Sequence, residues 1–175
     1  IDLIIAAMEE IMALGAQVVI LGSGEKWHEE SLSRMAYSHK GRLGVHIGFD
    51  ESLAHAIEAG SDFFLMPSRF EPCGLNQMIS MRYGTIPIVT GVGGLKDTVT
   101  AIGEGDAPTG IRVANPTSPD LLEAVSNACR IYREQKDLMK SLIINSMKKN
   151  VDWTESAIQY NSMYYKMINF QERAR

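Results

Sequence analysis

Short apolar runs alternate with helix-length amphipathic segments along almost the whole of this chain, and that order leaves few architectures open. Ala16 to Leu21, Leu43 to Ile47, Asp62 to Met66, Ile86 to Thr90 and Ile111 to Val113 are brief and largely apolar, as buried strands are. Between and around them, Trp27 to Ser38, Glu51 to Ala59 and the stretch that Gly84 stops carry helical spacing. Ser118 or Asp120 caps a helix reaching about Glu134, and another covers about Lys136 to Lys149. Asp152-Trp153-Thr154-Glu155 has capping-box-like spacing for a last helix over 150–170. Strand and helix in this alternation imply an α/β fold, a doubly wound parallel sheet with helices on both faces and right-handed crossovers. No internal repeat, low-complexity tract or linker interrupts it, so 1–175 reads as one domain.

The first segment enters that pattern out of step. Leu3, Ile4, Ala7, Met8, Ile11, Met12 and Leu14 form one face of an amphipathic helix closed by Gly15. A doubly wound domain places a strand and a loop before such a helix. The expectation is a fold lacking its first strand, with that strand and its βα loop outside the 175 residues.

Composition narrows the function classes. With 45% hydrophobic and 22% charged residues and a formal charge of -4, the chain reads as an ordinary soluble domain, and the acidic balance argues against nucleic acid as a partner. No basic run interleaved with aromatics exists; Lys148-Lys149 reads as helix C-terminal charge. Cys73 and Cys129 give no disulfide framework and favour a reducing compartment. No apolar run approaches the roughly 20 residues of a membrane helix. His28, His39, His46 and His55 lack metal-ligand spacing, no Asp-x-Asp pair is present, and the ten methionines fall mostly at helical core positions.

Pro67 to Leu75, PSRFEPCGL, joins an apolar strand to a helix start through a loop holding Arg69, Glu71 and Cys73. Ligands of open α/β sheets bind at such junctions. The first N–H groups of a helix and its dipole favour phosphate, so a carboxylate and a guanidinium beside them suit an anionic ligand with a polar group attached, such as a sugar nucleotide.

The run SRFEPCGLNQMISMRYGTIPIV, followed by GGLKDTV from Gly93 to Val99, resembles the C-terminal domain of bacterial glycogen synthases and plant starch synthases. IGFDESLAHAIEAGSDFFLMP, from Ile47 to Pro67, resembles the segment before it, and NVDWTESAIQYNSMYYKMI, from Asn150 to Ile168, the terminal helix with its leading tryptophan. The likeness spans nearly all of the chain. It implies a Rossmann-like domain, the C-terminal, donor-nucleotide-binding half of a GT-B glycosyltransferase, with 150–170 as a helix crossing back to the N-terminal half. The implied activity is retaining transfer of glucose from ADP-glucose to the non-reducing end of an α-1,4-glucan, with neither metal nor other cofactor required. The acceptor would be met through the N-terminal domain. An arginine and a lysine in the first βα loop, ahead of Ile1, would neutralise the leaving diphosphate. Residues 1–175 alone are accordingly expected to bind nucleotide weakly and to transfer no glucose.

Each candidate residue has a plainer reading beside the functional one. Glu71 could pair with Arg69 on the surface, the usual fate of a loop carboxylate. Pro72 stiffens the loop, however, and the resemblance implies that Glu71 faces the donor glucose and is needed for transfer. Ile79 stands where many retaining transferases of this architecture carry a second glutamate; the synthases commonly lack it too. Phe49, at a strand end before the capping Asp50, could be core or a platform for a base. The residues alone favour core, whereas the resemblance places it against adenine, with Gly48 allowing close approach. Leu75, Asn76 and Gln77 supply first-turn N–H groups for a diphosphate, and the Asn76 side chain can donate to a phosphate oxygen. Cys73 has no histidine near it in sequence and reads as a small residue, beside Gly74, fitted close to the ligand. Gly93 and Gly94 resemble a pair on the phosphate side of the cleft, though a plain turn looks the same. Gly22-Ser23-Gly24 reads as a bare turn, because Trp27 occupies the place of a third fingerprint glycine.

Two alternatives stay open: a non-catalytic, glucan-associated or regulatory homologue, and a transferase using a UDP-sugar. Plastid and bacterial cytoplasm are both compatible with the residues, as are starch and glycogen as product.

Overall fold

The computed structural model describes the backbone of residues 1–173, and the side chains within that span other than Glu155 and 170–173. Its elements are α1 (Asp2–Ala13), β1 (Val18–Gly22), α2 (Lys26–Ser38), β2 (Leu43–Ile47), α3 (Glu51–Gly60), β3 (Phe63–Met66), α4 (Asn76–Tyr83) and β4 (Ile86–Thr90). Then come α5 (Gly93–Thr98), β5 (Ile111–Val113), α6 (Ser118–Glu134), α7 (Lys136–Lys148) and α8 (Trp153–Arg173). Every strand pairing is parallel.

The expected single sheet is present as two ladders, β1–β2 and β3–β4–β5. Among the described residues no strand joins β1 to β3, so each keeps one unpaired edge. Helix α1 holds the two parts together through two neighbouring stripes at four-residue spacing. Leu3, Ala7 and Ile11 enter the larger core with Ile86, Ile88, Ile111, Leu121 and Ile131. Met8 and Met12 instead meet Leu32 and Leu43 beneath β1–β2. All five of these α1 side chains are buried, which is why so short a helix can fix two ladders.

β4 is buried along its whole length because helices cover both faces. Ile86 and Ile88 face α1 and α6, while Val89 faces Met81 of α4 and Leu95 of α5. α5 is an addition to the expected pattern, which has no helix at Gly93-Gly94-Leu95. Glycine has low helix propensity, but Leu95 is fully buried and its packing against β4 offsets that cost.

The caps differ in detail from the sequence expectation. Thr117, not Ser118 or Asp120, caps α6, its side chain accepting from the Asp120 N–H. Asp152 accepts from the Thr154 N–H at 2.8 Å ahead of α8, whereas the expected return of the Glu155 side chain lies outside the described residues. Along α8, Ile158, Met163, Tyr164, Met167 and Ile168 are exposed, as is Trp153.

A fork closes the turn before β5. Arg112 donates to both carboxylate oxygens of Glu104, at 3.1 and 2.8 Å, and the Ala101 N–H donates to the same carboxylate. Chiefly the Arg112 hydrogen bonds, and then that of Ala101, hold the Glu104 acid down from 4.5 to about 2. A depressed carboxylate stabilises the fold fully above its unfolded value, and that contribution is lost as pH falls through the folded one. Thermal melts should therefore separate wild type from Glu104→Gln above about pH 4.5 and converge towards about pH 2. A gap independent of pH would show that the carboxylate charge is not what holds this turn.

Candidate active site

Each candidate ligand residue stands at the carboxyl end of a parallel strand. Gly48 and Phe49 follow β2, the loop from Pro67 to Leu75 follows β3, and Gly93 and Gly94 follow β4. The β3 loop is fastened at four points. Thr90 Oγ1, from the end of β4, donates to Ser68 O at 2.5 Å. Arg69 donates through both terminal nitrogens to the two carboxylate oxygens of Asp2, at 2.9 and 2.8 Å. The Gly94 N–H donates to Glu71 O at 3.1 Å. Gln77, fully buried, lies with Nε2 within hydrogen-bond reach of Cys73 O, Gly74 O and Thr98 Oγ1.

These anchors leave the Glu71 carboxylate unengaged. Among the described residues it has neither an ion pair nor a hydrogen bond, because Arg69, the neighbour expected to occupy it in the plainer reading, is turned to Asp2. The pairing pushes the Arg69 guanidinium pKa up and holds the Asp2 carboxyl far below the usual carboxylate range, mainly through their mutual hydrogen bonds.

Helix α4 opens beside the loop with no side-chain cap. The Asn76 and Gln77 N–H groups carry no acceptor among the described residues, so two donors and the helix dipole are available to an anion. Gly93 and Gly94 also carry a packing role that local spacing does not show. A Cβ on Gly93 would lie 2.0 Å from Glu71 O, and one on Gly94 2.0 Å from Cys73 O. They are the floor on which the Glu71–Cys73 backbone rests, and the Gly94 N–H is already committed to Glu71.

Phe49 is 91% exposed, which excludes the core role that the residues alone favoured. A Cβ on Gly48 would meet nothing nearer than His46 Nε2 at 3.8 Å, so the backbone there is open to a flat ligand. The structure thus packs Glu71, Cys73, Gly74, Gln77, Gly93 and Gly94 into one block. Leu75 and Asn76 lie exposed at its rim, Arg69 is tied to α1, and Phe49 stands on the other ladder. Sequence reasoning missed Asp2, whose partner is 67 positions away, and Thr90 and Thr98, whose hydroxyls act on loop backbone and on α5. Local spacing holds no signal for any of the three. Phe70, 82% exposed beside Glu71, was also passed over, although an apolar residue in such a loop is a visible signal. Among the described residues no three His, Cys, Asp or Glu side chains converge as a metal site would need.

The strand-end loops of this parallel α/β domain present a free carboxylate, an uncapped helix start and an exposed aromatic together, at the edge of the sheet where folds of this class take ligands. Residues 1–149 match the profile of the family described as Glycosyl transferases group 1, and the chain belongs to that family. It is 48% identical over 164 residues to the glycogen synthase of Anaeromyxobacter dehalogenans (strain 2CP-C), covering 94% of this chain and 34% of that protein. With the glycogen synthase of Desulfitobacterium hafniense it shares 45% over 167 residues, 93% of this chain and 35% of the relative. Among solved structures, the catalytic domain of starch synthase IV from Arabidopsis thaliana, bound to ADP and acarbose, superposes with a TM-score of 0.85 at 34% identity, covering 96% of this chain and 36% of that one. The chain therefore spans about a third of the length of the relatives it matches.

Proposed function

We propose that this chain is the donor-binding half of a retaining glucosyltransferase that moves glucose from ADP-glucose to the non-reducing end of an α-1,4-glucan. The observation that carries the reading is the Glu71 carboxylate, left unpaired on a loop fastened at four points beside the free α4 start. The likeness to glycogen synthases and the ADP bound in the starch synthase structure support it.

In this reading the α4 N–H groups of Asn76 and Gln77 receive the diphosphate, and Cys73 and Gly74 let it approach. Breaking the glycosidic bond to phosphate puts positive charge on the anomeric carbon and negative charge on the leaving group. Glu71 faces the sugar and stabilises the first; helix N–H groups stabilise the second, together with cations on the loop expected ahead of Ile1, and no metal is called for. One added parallel strand between β1 and β3 would join the ladders in the doubly wound order and bring that loop to the site. The glucan is met from the N-terminal domain, towards which the exposed apolar face of α8 extends.

Calorimetric titration of the whole protein with ADP-glucose and UDP-glucose tests this, with ADP-glucose expected to bind the tighter. Phe49→Ala should weaken ADP-glucose by about 5- to 150-fold, the range for removing one base-stacking ring, without moving the melting temperature, because the ring is already exposed. Binding of neither donor sinks the synthase reading; unchanged affinity in the variant sinks the platform role.

A further inference from the structure

The loop carrying Glu71 is held by α5 and by Gln77 on one side of Glu71; ahead of Phe70, which is 82% exposed, Thr90 holds the Ser68 backbone, and among the described residues one side-chain pair ties the loop to α1. That contact is the two-pronged bond of Arg69 to Asp2. Asp2 is the first residue of α1, the helix whose buried Leu3, Ala7, Met8, Ile11 and Met12 fix it to both ladders. Its carboxylate is thus mounted on a helix packed into both cores. The guanidinium fork gives direction as well as attraction, since two parallel N–H···O bonds fix the plane of both groups. Arg69 is two residues from Glu71, and Pro72 follows directly, so little chain freedom lies between the strut and the carboxylate.

We infer that Asp2 is a positioning residue: through Arg69 it fixes where the Glu71 carboxylate stands relative to the donor sugar, and Arg69 serves as strut and not as a donor ligand. This rests on the glucosyltransferase reading above. Both partners are substantially exposed, so the pair adds little to global stability, yet a displacement of about 1 Å at a reacting centre can cost about a hundredfold in rate. The strut therefore shows itself in turnover and not in melting.

The test uses the full-length protein with Asp2→Ala, Arg69→Ala, the double variant and the conservative Asp2→Glu. Asp2→Ala should lower kcat by about 10- to 100-fold, leave the donor KM within about twofold, and leave the melting temperature nearly unmoved. Arg69→Ala should match it, the double variant should be no worse than either single one, and Asp2→Glu should regain most of the rate. Hydrogen exchange at the amides of Arg69 to Gly74 should quicken in Asp2→Ala while the α1 interior keeps its protection. An Arg69 that binds the donor would instead raise KM when removed, with Asp2→Ala near wild type; that result overturns the inference. So does quickened exchange with unchanged kcat, or an additive double variant. A wild-type protein that transfers no glucose would count against the glucosyltransferase reading and not against the strut. The exchange measurement then decides alone: quickened loop amides support the strut, and unaltered ones overturn it.

Discussion

Replacing Glu71 by alanine in the whole protein is expected to reduce glucose transfer onto a glucan primer by about a hundred- to ten-thousand-fold, the range seen when a positioned acid or base group is lost. On the proposed donor placement, with the carboxylate towards the sugar and the phosphates at α4, ADP should bind the variant as it binds wild type. Stability should not fall, since the Glu71 side chain has no partner among the described residues to lose. Glu71→Gln sharpens the result. It keeps shape and hydrogen-bonding capacity but removes the charge, so a loss as deep as that of alanine assigns the role to electrostatics and a shallow one to orientation. Transfer at the wild-type rate in both variants would remove Glu71 from the mechanism. The measurement is the rate of glucan extension under saturating donor, beside calorimetry with ADP.

Gly94→Ala is expected to damage both fold and turnover. The added Cβ would sit 2.0 Å from Cys73 O and 2.5 Å from Cys73 Cα. Neither is the end of a flexible side chain, so the loop backbone itself has to move. Overpacking of this kind costs about 1–3 kcal/mol, or about 2 to 12 °C in melting temperature for a domain of this size. The shift would carry Glu71 with it, because Gly94 N–H holds Glu71 O, and turnover should fall by about a hundredfold beyond any loss of folded protein. Gly60→Ala is the control. It lies in α3 with nothing within 4 Å of its would-be Cβ, so melting should stay or rise slightly. Equal melting temperatures for Gly94→Ala and wild type would show that the loop is looser than its contacts suggest.

Much of the architecture was legible before any coordinates. The brief runs around Ile20, Val45, Leu65, Ile88 and Arg112 are strands, and the amphipathic stretches between them are helices to within a few residues. The pattern is local: burial on one face repeats every two or every 3.6 residues, and a window of ten residues contains it. Glu71 and the α4 start were legible for the same reason, since a strand, a stiff loop and a helix start follow one another in sequence. The family, too, is carried by contiguous motifs.

Contacts between distant positions were not legible. Arg69 reads as a ligand residue from its place beside a helix start, and nothing in the local spacing connects it to Asp2, its partner in the structure. The residues alone favour core for Phe49, and its exposure excludes that reading. Gly93 and Gly94 read as a phosphate-side pair or a plain turn, and neither reading shows that they begin a helix pressed under the Glu71 loop.

The sequence by itself determined the order of elements, their parallel sense and the strand-to-helix junction that carries the candidate site, because hydrophobic period and chain direction are written locally. The tertiary structure alone decided which charge meets which, how closely two backbones approach, and that the strands form two ladders bridged by α1. Those outcomes depend on side chains brought together across as many as 67 positions, and long-range packing selects such pairs by shape and burial after the local elements exist.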